Sequence, residues 1–383
     1  MRRELIASKV IPAWPKVGKA CVVPIQGLVD EELRAELEAP DSILLPESEW
    51  PSTTPKSTVH ATEDEWFQIC RAGHERGMFV PIKEEDIFKN NFGDTVTAGA
   101  MGVDKVKEID GVQVTLLRFI CILTPINAYM RQLLGDSWSL PQACLLTALI
   151  LGDGEFLWQD GEDLESCFNL FTLPATWLKY FVFSKTVAAS AFGGRPGRRT
   201  YVAIRAVPMG WINSVALLQF VLRRLLFKTI KVNESLDVNP RQRVIDGDAL
   251  VGCMDGADYF TRLKVVHGTL QRSNGEVIPP EGERNPVMAG FVGACEELGL
   301  PINLGKQVIQ DFHGAVLGGE LDGIQGVLRV APEKSHRFVA KTCALLAEKK
   351  VTQVACQHWA GLYCFGAGFR RPLFSVVEEI FRS

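Results

Sequence analysis

Neither sign of charge dominates this 383-residue chain: 41 Lys and Arg stand against 45 Asp and Glu, a formal net charge of −4. That balance excludes a protein whose whole surface advertises for nucleic acid or anionic membrane. No apolar run reaches the roughly 18 residues a spanning helix needs, so no membrane segment is expected. The opening Met1-Arg2-Arg3-Glu4-Leu5 lacks the apolar core of a signal peptide, which predicts an intracellular location, nucleus or cytoplasm. The ten cysteines contain no C-x-x-C pair, and the six histidines are scattered. A zinc site is thereby disfavoured, and buried, reduced thiols are expected. The glycines of 193–200 lack the G-x-x-x-x-G-K-[ST] spacing, which dismisses a P-loop. With 47% hydrophobic and 22% charged residues the chain is neither disordered nor collagen-like.

The most informative scarcity is local. From Ser166 to Asn233 there is no Asp or Glu, while ten basic residues run from Lys179 through Arg195, Arg198, Arg199 and Arg205 to Lys231. A positive segment inside an acidic chain predicts a surface for a polyanion.

Pattern divides the chain into a peripheral, partly irregular N-terminal extension (1–90), a mixed body (91–330) and a helical end (331–383). In the extension, Pro46 to Pro55 reads as an irregular linker and Glu63 to Arg76 as a short amphipathic helix. From Val112 to Leu123 the alternation predicts a strand, with Arg118 inside it. Phe156 to Gln159 reads as a second strand, ended by a turn at Asp160-Gly161-Glu162-Asp163. Leu178 to Ser184 and Tyr201 to Val207 read as a strand pair about a glycine turn, and Trp211 to Phe227 as a helix. Asp255-Gly256 marks a hairpin. Pro286 to Leu298 is a helix capped by Gly299, and Asp322-Gly323 marks another hairpin. Helices are expected at about 332–349, 351–365 and 372–381. The fold class is α+β.

Two acids stand out by position: Asp163 after a short strand and turn, and Asp255 at a tight turn between apolar strands. Carboxylates at strand ends in an apolar body can meet to hold hard divalent cations. A strand-end Asp is also an ordinary turn residue, and the spacing alone does not decide.

Val207-Pro208-Met209-Gly210-Trp211-Ile212-Asn213-Ser214, followed by Gln219, resembles the loop–helix motif of retroelement reverse transcriptases. Other blocks of that family follow in order. Leu117-Arg118-Phe119-Ile120 and Pro125-Ile126-Asn127 resemble the fingers strand, and Leu140-Pro141 the pair after it. Glu162 to Phe168 resembles the first catalytic block, and Cys253-Met254-Asp255-Gly256 the aromatic-x-D-D turn. Leu298 to Lys306 resembles the lysine-bearing block, Val316 to Glu320 the primer-contacting hairpin, and Phe369 to Leu373, loosely, a thumb or connection stretch. The resemblance covers about 95–383.

The resemblance implies a right-hand polymerase with fingers, palm and a short helical thumb. It implies Asp163 and Asp255 holding two Mg²⁺ or Mn²⁺ ions, with the Leu164 carbonyl as a further ligand. Lys306 would serve the leaving pyrophosphate, and Arg118 would pair with the triphosphate. Phe168 would exclude a 2′-hydroxyl, and Pro208, Met209 and Gly210 would form a loop beneath the nucleotide. Arg195, Arg198, Arg199, Gly318 and Gly319 would meet an RNA or DNA primer–template, and dNTPs would be the substrates. The motif also departs from the family. Cys253 replaces the aromatic, Gly256 replaces the second Asp, and Thr124 stands where a second basic residue is common. No nuclease or integrase block is recognisable before Ser383. Two readings therefore stand: an RNA-directed DNA polymerase, or a catalytically inactive relic that binds nucleic acid.

Overall fold

The computed structural model describes residues 3–109, 111–348, 351–370 and 373. Helix and sheet are mixed throughout. The chain folds into two compact units, each woven from separate stretches. One comprises Met1–Trp138, Leu164–Thr229 and Gly293–Asn303; the other comprises Ser139–Asp163, Ile230–Val292 and Leu304–Ser383.

The first unit is organised around a long antiparallel hairpin, Gly99–Ile109 against Val112–Ile122, with Met101 opposite Ile120 and Val103 opposite Arg118. Period-two alternation buries Leu117 and Phe119 and leaves Arg118 exposed. The core is aromatic. Trp66 and Phe183 stand edge to face at 5.3 Å, and Phe119 and Phe183 at 5.7 Å. Each such pair adds about 0.5–1.5 kcal/mol beyond its buried area.

The N-terminal residues expected to be peripheral are part of this interior. Leu5, Ile25 and Trp66 are fully buried. Arg3 exchanges backbone hydrogen bonds with Gly102, and His60 N–H donates to the Ala100 carbonyl. Composition concealed this because the segment is irregular in pairing yet supplies large apolar side chains. Its one long helix, Glu63–Glu75, begins where predicted, capped by the Thr62 hydroxyl accepting from Glu65 N–H at 3.2 Å.

The strand expected over Leu178 to Ser184 is absent. Ala175–Tyr180 is a 3₁₀ turn started after Pro174, and Phe181, Val182 and Phe183 then cross the core making only single bridges. A fully buried segment has the same apolar signature as a strand. The paired strands are Val187–Ala188 and Arg199–Ile204, and the latter pairs with Phe79–Ile82 on its other edge. The helix after the Pro208–Gly210 loop runs Ser214–Arg224 and ends in a π turn, Leu225–Thr229.

In the second unit, the Glu155–Asp163 strand lies between Gly256–Val266 and Val308–Asp311; Gly256–Val266 also pairs with Ala249–Cys253 and Thr269–Arg272. Leu157, Val251, Phe260, Val316 and Leu321 form its apolar layer. The turn predicted at Asp160 to Asp163 is instead strand, because Asp160, Gly161 and Glu162 pair with Tyr259, Asp258 and Ala257. A three-stranded meander follows: His313–Val316, Gly319–Asp322 and Val327–Val330. Two helices then pack together, Pro332–Ala347 and Gln353–Gly368, with Phe338 and Trp359 at 5.9 Å. The helix expected at 372–381 lies outside the described residues, as does part of the Phe369 to Leu373 block. Among the described residues no helix is long and apolar enough to cross a membrane.

Candidate active site

The sheet of the second unit brings Asp163, Asp255 and Lys306 to one end. Asp163 is the last residue of its strand, and Gly256 pairs directly opposite it. Asp255 sits in the two-residue turn between Cys253 and Gly256, which pair with each other. The turn thus lies one strand over from Asp163. Lys306, in the 3₁₀ turn Leu304–Lys306, donates to Asp163 Oδ2 at 2.6 Å; the Asp163 side chain is 21% exposed and that of Lys306 62%.

A third carboxylate belongs to this face. Residues opposed in an antiparallel ladder share a face, and alternate residues along a strand return to it. Asp258 therefore stands on the side of Asp163 and Gly256. Its opposite number is Gly161, where any Cβ would fall on Asp258 Oδ1. Gln159 Nε2 donates to Asp258 Oδ1 at 2.7 Å and to the Ala315 carbonyl at 3.2 Å. Burial, and then the charges of Asp163 and Asp255, push the Asp258 carboxyl up to about 7, although the Gln159 hydrogen bond opposes the shift. The Cys253 thiol is raised to about 12 by burial and by the same three carboxylates. The signal for Asp258 was present in the sequence: it lies two residues from Gly256, one full strand period.

The other face of the same strand carries two more acids. Glu162 Oε1 accepts from Arg284 Nε at 2.5 Å and from Gln307 Nε2 at 2.8 Å. Asp160 Oδ1 accepts from the backbone N–H groups of Asn285 and Gln310 at 3.4 Å each. Asp160 is raised to about 6, chiefly by burial. These partners, all distant in sequence, explain why an apparent acidic turn is buried strand.

In the first unit, the loop Pro208 to Gly210 is fastened to the end of the strand that carries Arg118. Cys121 N–H donates to the Met209 carbonyl at 3.0 Å, and the Ser214 hydroxyl to the Pro208 carbonyl at 2.7 Å. Asn127 Nδ2 donates to the Gly210 carbonyl at 3.0 Å, and its Oδ1 accepts from Ile212 N–H at 3.1 Å. Gly210 has φ +118°, and a Cβ there would fall on the Cys121 carbonyl oxygen. The loop thus requires glycine for both conformation and approach. Asn213 stands at the helix N-cap but does not cap; it accepts from Leu133 N–H at 3.0 Å. Phe168 is half-buried in the 3₁₀ turn Cys167–Asn169, and Leu164 is buried, bridged to Ile302.

No family model matches the sequence, and no curated protein matches it. Solved structures do. The foamy viral protease–reverse transcriptase in complex with double-stranded DNA (the form designated dRH) is similar at 13% identity and a TM-score of 0.50, covering 96% of this chain and 58% of that one. Two further foamy viral protease–reverse transcriptase structures, with an RNA/DNA hybrid and with double-stranded DNA, give 12% and 14% identity and TM-scores of 0.49 and 0.48. They cover 95% and 93% of this chain and 42% and 67% of those chains. The chain has a reverse-transcriptase-like, polymerase-like fold, and spans a little over half the length of the first of these structures.

The remaining sequence candidates fall in different settings. Arg195 and Arg198 are exposed at the glycine turn, whereas Arg199 is engaged, donating to Glu63 Oε2 at 2.9 Å and to the Thr186 hydroxyl at 2.8 Å. Glu63 is held below the usual carboxylate range, first by that Arg199 hydrogen bond. Gly318 and Gly319 lie at the first meander turn, with Gly318 at φ +81°. Among the described residues, no three His, Cys, Asp or Glu side chains are gathered as a ready metal cage.

Proposed function

We propose that this chain is an RNA-directed DNA polymerase of the retroelement reverse-transcriptase type, performing nucleotidyl transfer at Asp163 and Asp255. The observation that carries the reading is their placement, one strand apart at one end of a sheet, within a reverse-transcriptase-like fold. In this reading the sheet of the second unit is the palm, the Gly99–Ile122 hairpin lies in the fingers, and the paired terminal helices are the thumb.

The donor set suits a hard divalent cation such as Mg²⁺ or Mn²⁺: carboxylates, with no soft ligand required. Asp258 is raised chiefly by burial, and the charges of Asp163 and Asp255 add to it; a cation would relieve that added repulsion. Asp163 and Asp255 would hold the metal, with the Leu164 carbonyl as a further ligand. Bound metal would activate the primer 3′-oxygen and neutralise charge on the triphosphate. The chain's own residues do the rest. Lys306, a donor to Asp163 at 2.6 Å, would give a proton to, or neutralise, the departing pyrophosphate. Arg118 presents its forked donors from an exposed strand position to a triphosphate. The Pro208–Gly210 loop offers a fixed backbone floor for the incoming nucleotide, and Phe168 offers a ring against its sugar. Arg195, Arg198, Gly318 and Gly319 are assigned to the primer–template. An intracellular location belongs to the same reading.

A second reading, a relic that binds nucleic acid without catalysis, draws on Gly256. A Cβ there would fall on the Glu162 carbonyl oxygen and lie 3.1 Å from Asp163 Cα. The second carboxylate of the family's turn is missing, and the backbone has closed over its place. Primer extension by purified protein on RNA and DNA templates, with Mg²⁺ or Mn²⁺, separates the two. Extension that requires Asp163 supports the polymerase, and duplex binding without extension supports the relic.

A further inference from the structure

The two acids on the reverse face of the Glu155–Asp163 strand are short of partners. Asp160 and Glu162 are 1% and 3% exposed. They alternate on one strand, so their Cα atoms lie about 7 Å apart and both side chains leave the same face. One oxygen of each is served: Asp160 Oδ1 by the backbone N–H groups of Asn285 and Gln310, and Glu162 Oε1 by Arg284 and Gln307. The second oxygens, Asp160 Oδ2 and Glu162 Oε2, are buried and make no hydrogen bond among the described residues. A buried carboxylate oxygen without a partner forfeits its hydration for nothing in return. Native interiors leave few such atoms, and a water or an ion commonly accounts for them.

Charge decides between those occupants. The two carboxylates carry −2 and Arg284 returns +1, so the cluster stands one positive charge short. A monovalent cation brings it to neutrality. A divalent ion would leave a buried excess of +1, and a water would leave −1. The donors are hard oxygens, and Gln307, which gives Nε2 to Glu162, carries its amide oxygen on the same carbon. The cover of this face is also built. Gln310, left-handed at φ 50°, donates from Nε2 to the Pro279 and Pro280 carbonyls at 3.1 and 3.0 Å, and its Oε1 accepts from Gly282 N–H at 3.3 Å. The loop that brings Arg284 and Asn285 to the acids is thereby tied to the Val308–Asp311 strand.

We propose that Asp160 Oδ2 and Glu162 Oε2 together hold a monovalent cation, K⁺ or Na⁺, beside the Gln307 amide. The ion fastens the loop carrying Arg284 and Asn285 to the strand that ends in Asp163, on the face turned away from Asp163. It takes no part in nucleotidyl transfer, so it stands even if the polymerase reading falls.

The test is thermal melting of the full chain at about pH 8, above the value of about 6 to which Asp160 is raised. KCl, NaCl and tetramethylammonium chloride are compared at equal concentration, with EDTA present. The three salts screen alike, but tetramethylammonium is too large to enter. The parent should melt about 2 °C or more higher in KCl or NaCl, and the larger gain identifies the ion. Asp160→Asn and Glu162→Gln should each melt alike in all three salts, whereas Asp163→Asn should keep the gain. Glu162→Gln also loses its charge partner Arg284, so Asp160→Asn carries the decision. The ²³Na resonance should broaden with the parent and not with Asp160→Asn. Equal melting of the parent in the three salts overturns the proposal and leaves the two oxygens to a shared proton or a water. A gain that survives in Asp160→Asn, or disappears in Asp163→Asn, places the ion elsewhere and overturns it as well.

Discussion

Gly256 faces Asp163 across the antiparallel ladder, so this acid meets a residue with no side chain. The glycine has a steric reason. Gly256 lacks positive φ, and what requires glycine is proximity to the Glu162 carbonyl. Gly256→Ala should therefore destabilise by about 1–3 kcal/mol, the usual cost of overpacking a closed site. Gly256→Asp should lower the melting temperature at least as much and should not increase primer extension. A rise in extension at limiting Mg²⁺ with an unchanged melting temperature would show that the strands part readily.

Asp163→Asn keeps the size of the side chain and removes its charge. Primer extension should fall to background, while the melting temperature moves little, because the Lys306 partner is 62% exposed and pairs with a solvent-facing lysine contribute about 0–1 kcal/mol. Lys306→Met should slow single-turnover extension without abolishing it. Equal extension by Asp163→Asn and the parent would remove Asp163 from the mechanism.

Asp258 makes stability depend on pH. In the unfolded chain its carboxyl sits near 3.8, and in the folded protein near 7. Between those values the folded state holds the extra proton, so stability falls as pH rises from about 4 to about 7 and the loss is complete above. Asp258→Asn removes the ionisation and keeps an acceptor for Gln159. Without metal, the variant should be more stable than the parent above pH 7, by at most about 4 kcal/mol, and the advantage should vanish towards pH 4. Melting curves across pH check this; parallel curves for the two proteins would refute it.

The arginines at the glycine turn should divide. Arg195→Glu with Arg198→Glu should weaken duplex binding and flatten its dependence on salt, leaving the melting temperature unchanged. Arg199→Glu should also cost stability, because Arg199 is tied to Glu63 and Thr186. Anisotropy and thermal melts on the same samples separate the effects.

Phe168→Ala should raise ribonucleotide incorporation relative to deoxynucleotide. Its half-buried ring leaves part of its surface free for a sugar. Unchanged discrimination would make Phe168 a packing residue.

Much of the second unit was legible in the sequence because strand period and turn chemistry are local. The hairpin at Asp255 and the helices Pro286–Glu297 and Pro332–Ala347 fall close to their predicted places. The misreadings share one cause, tertiary partners that override a local signal. Asp160 to Asp163 looked like a turn because Arg284, Asn285 and Gln310, which keep those acids in a strand, lie more than 120 residues away. Phe181 to Phe183 looked like a strand because a buried crossing is as apolar as one. The N-terminal 90 residues looked peripheral because the bonds that tie them into the core, Arg3 with Gly102 and His60 with Ala100, reach a strand far along the chain. At the candidate site, Asp163, Asp255 and Lys306 could be named from blocks of sequence. Gln159 could not, since nothing along the chain marks an amide that reaches two strands.

That amide has a thermodynamic meaning. Gln159 Nε2 gives one hydrogen to Asp258 and one to the Ala315 carbonyl, so a single side chain ties an ionisable group to the hairpin. Reciprocity follows from linkage. If displacement of the hairpin alters how tightly Asp258 holds its proton, then gain or loss of that proton must bias the hairpin by the same free energy. Proton affinity at the carboxylates and strand position at the Leu317–Gly318 turn are then two readings of a single equilibrium, with Gln159 as the arm of the balance.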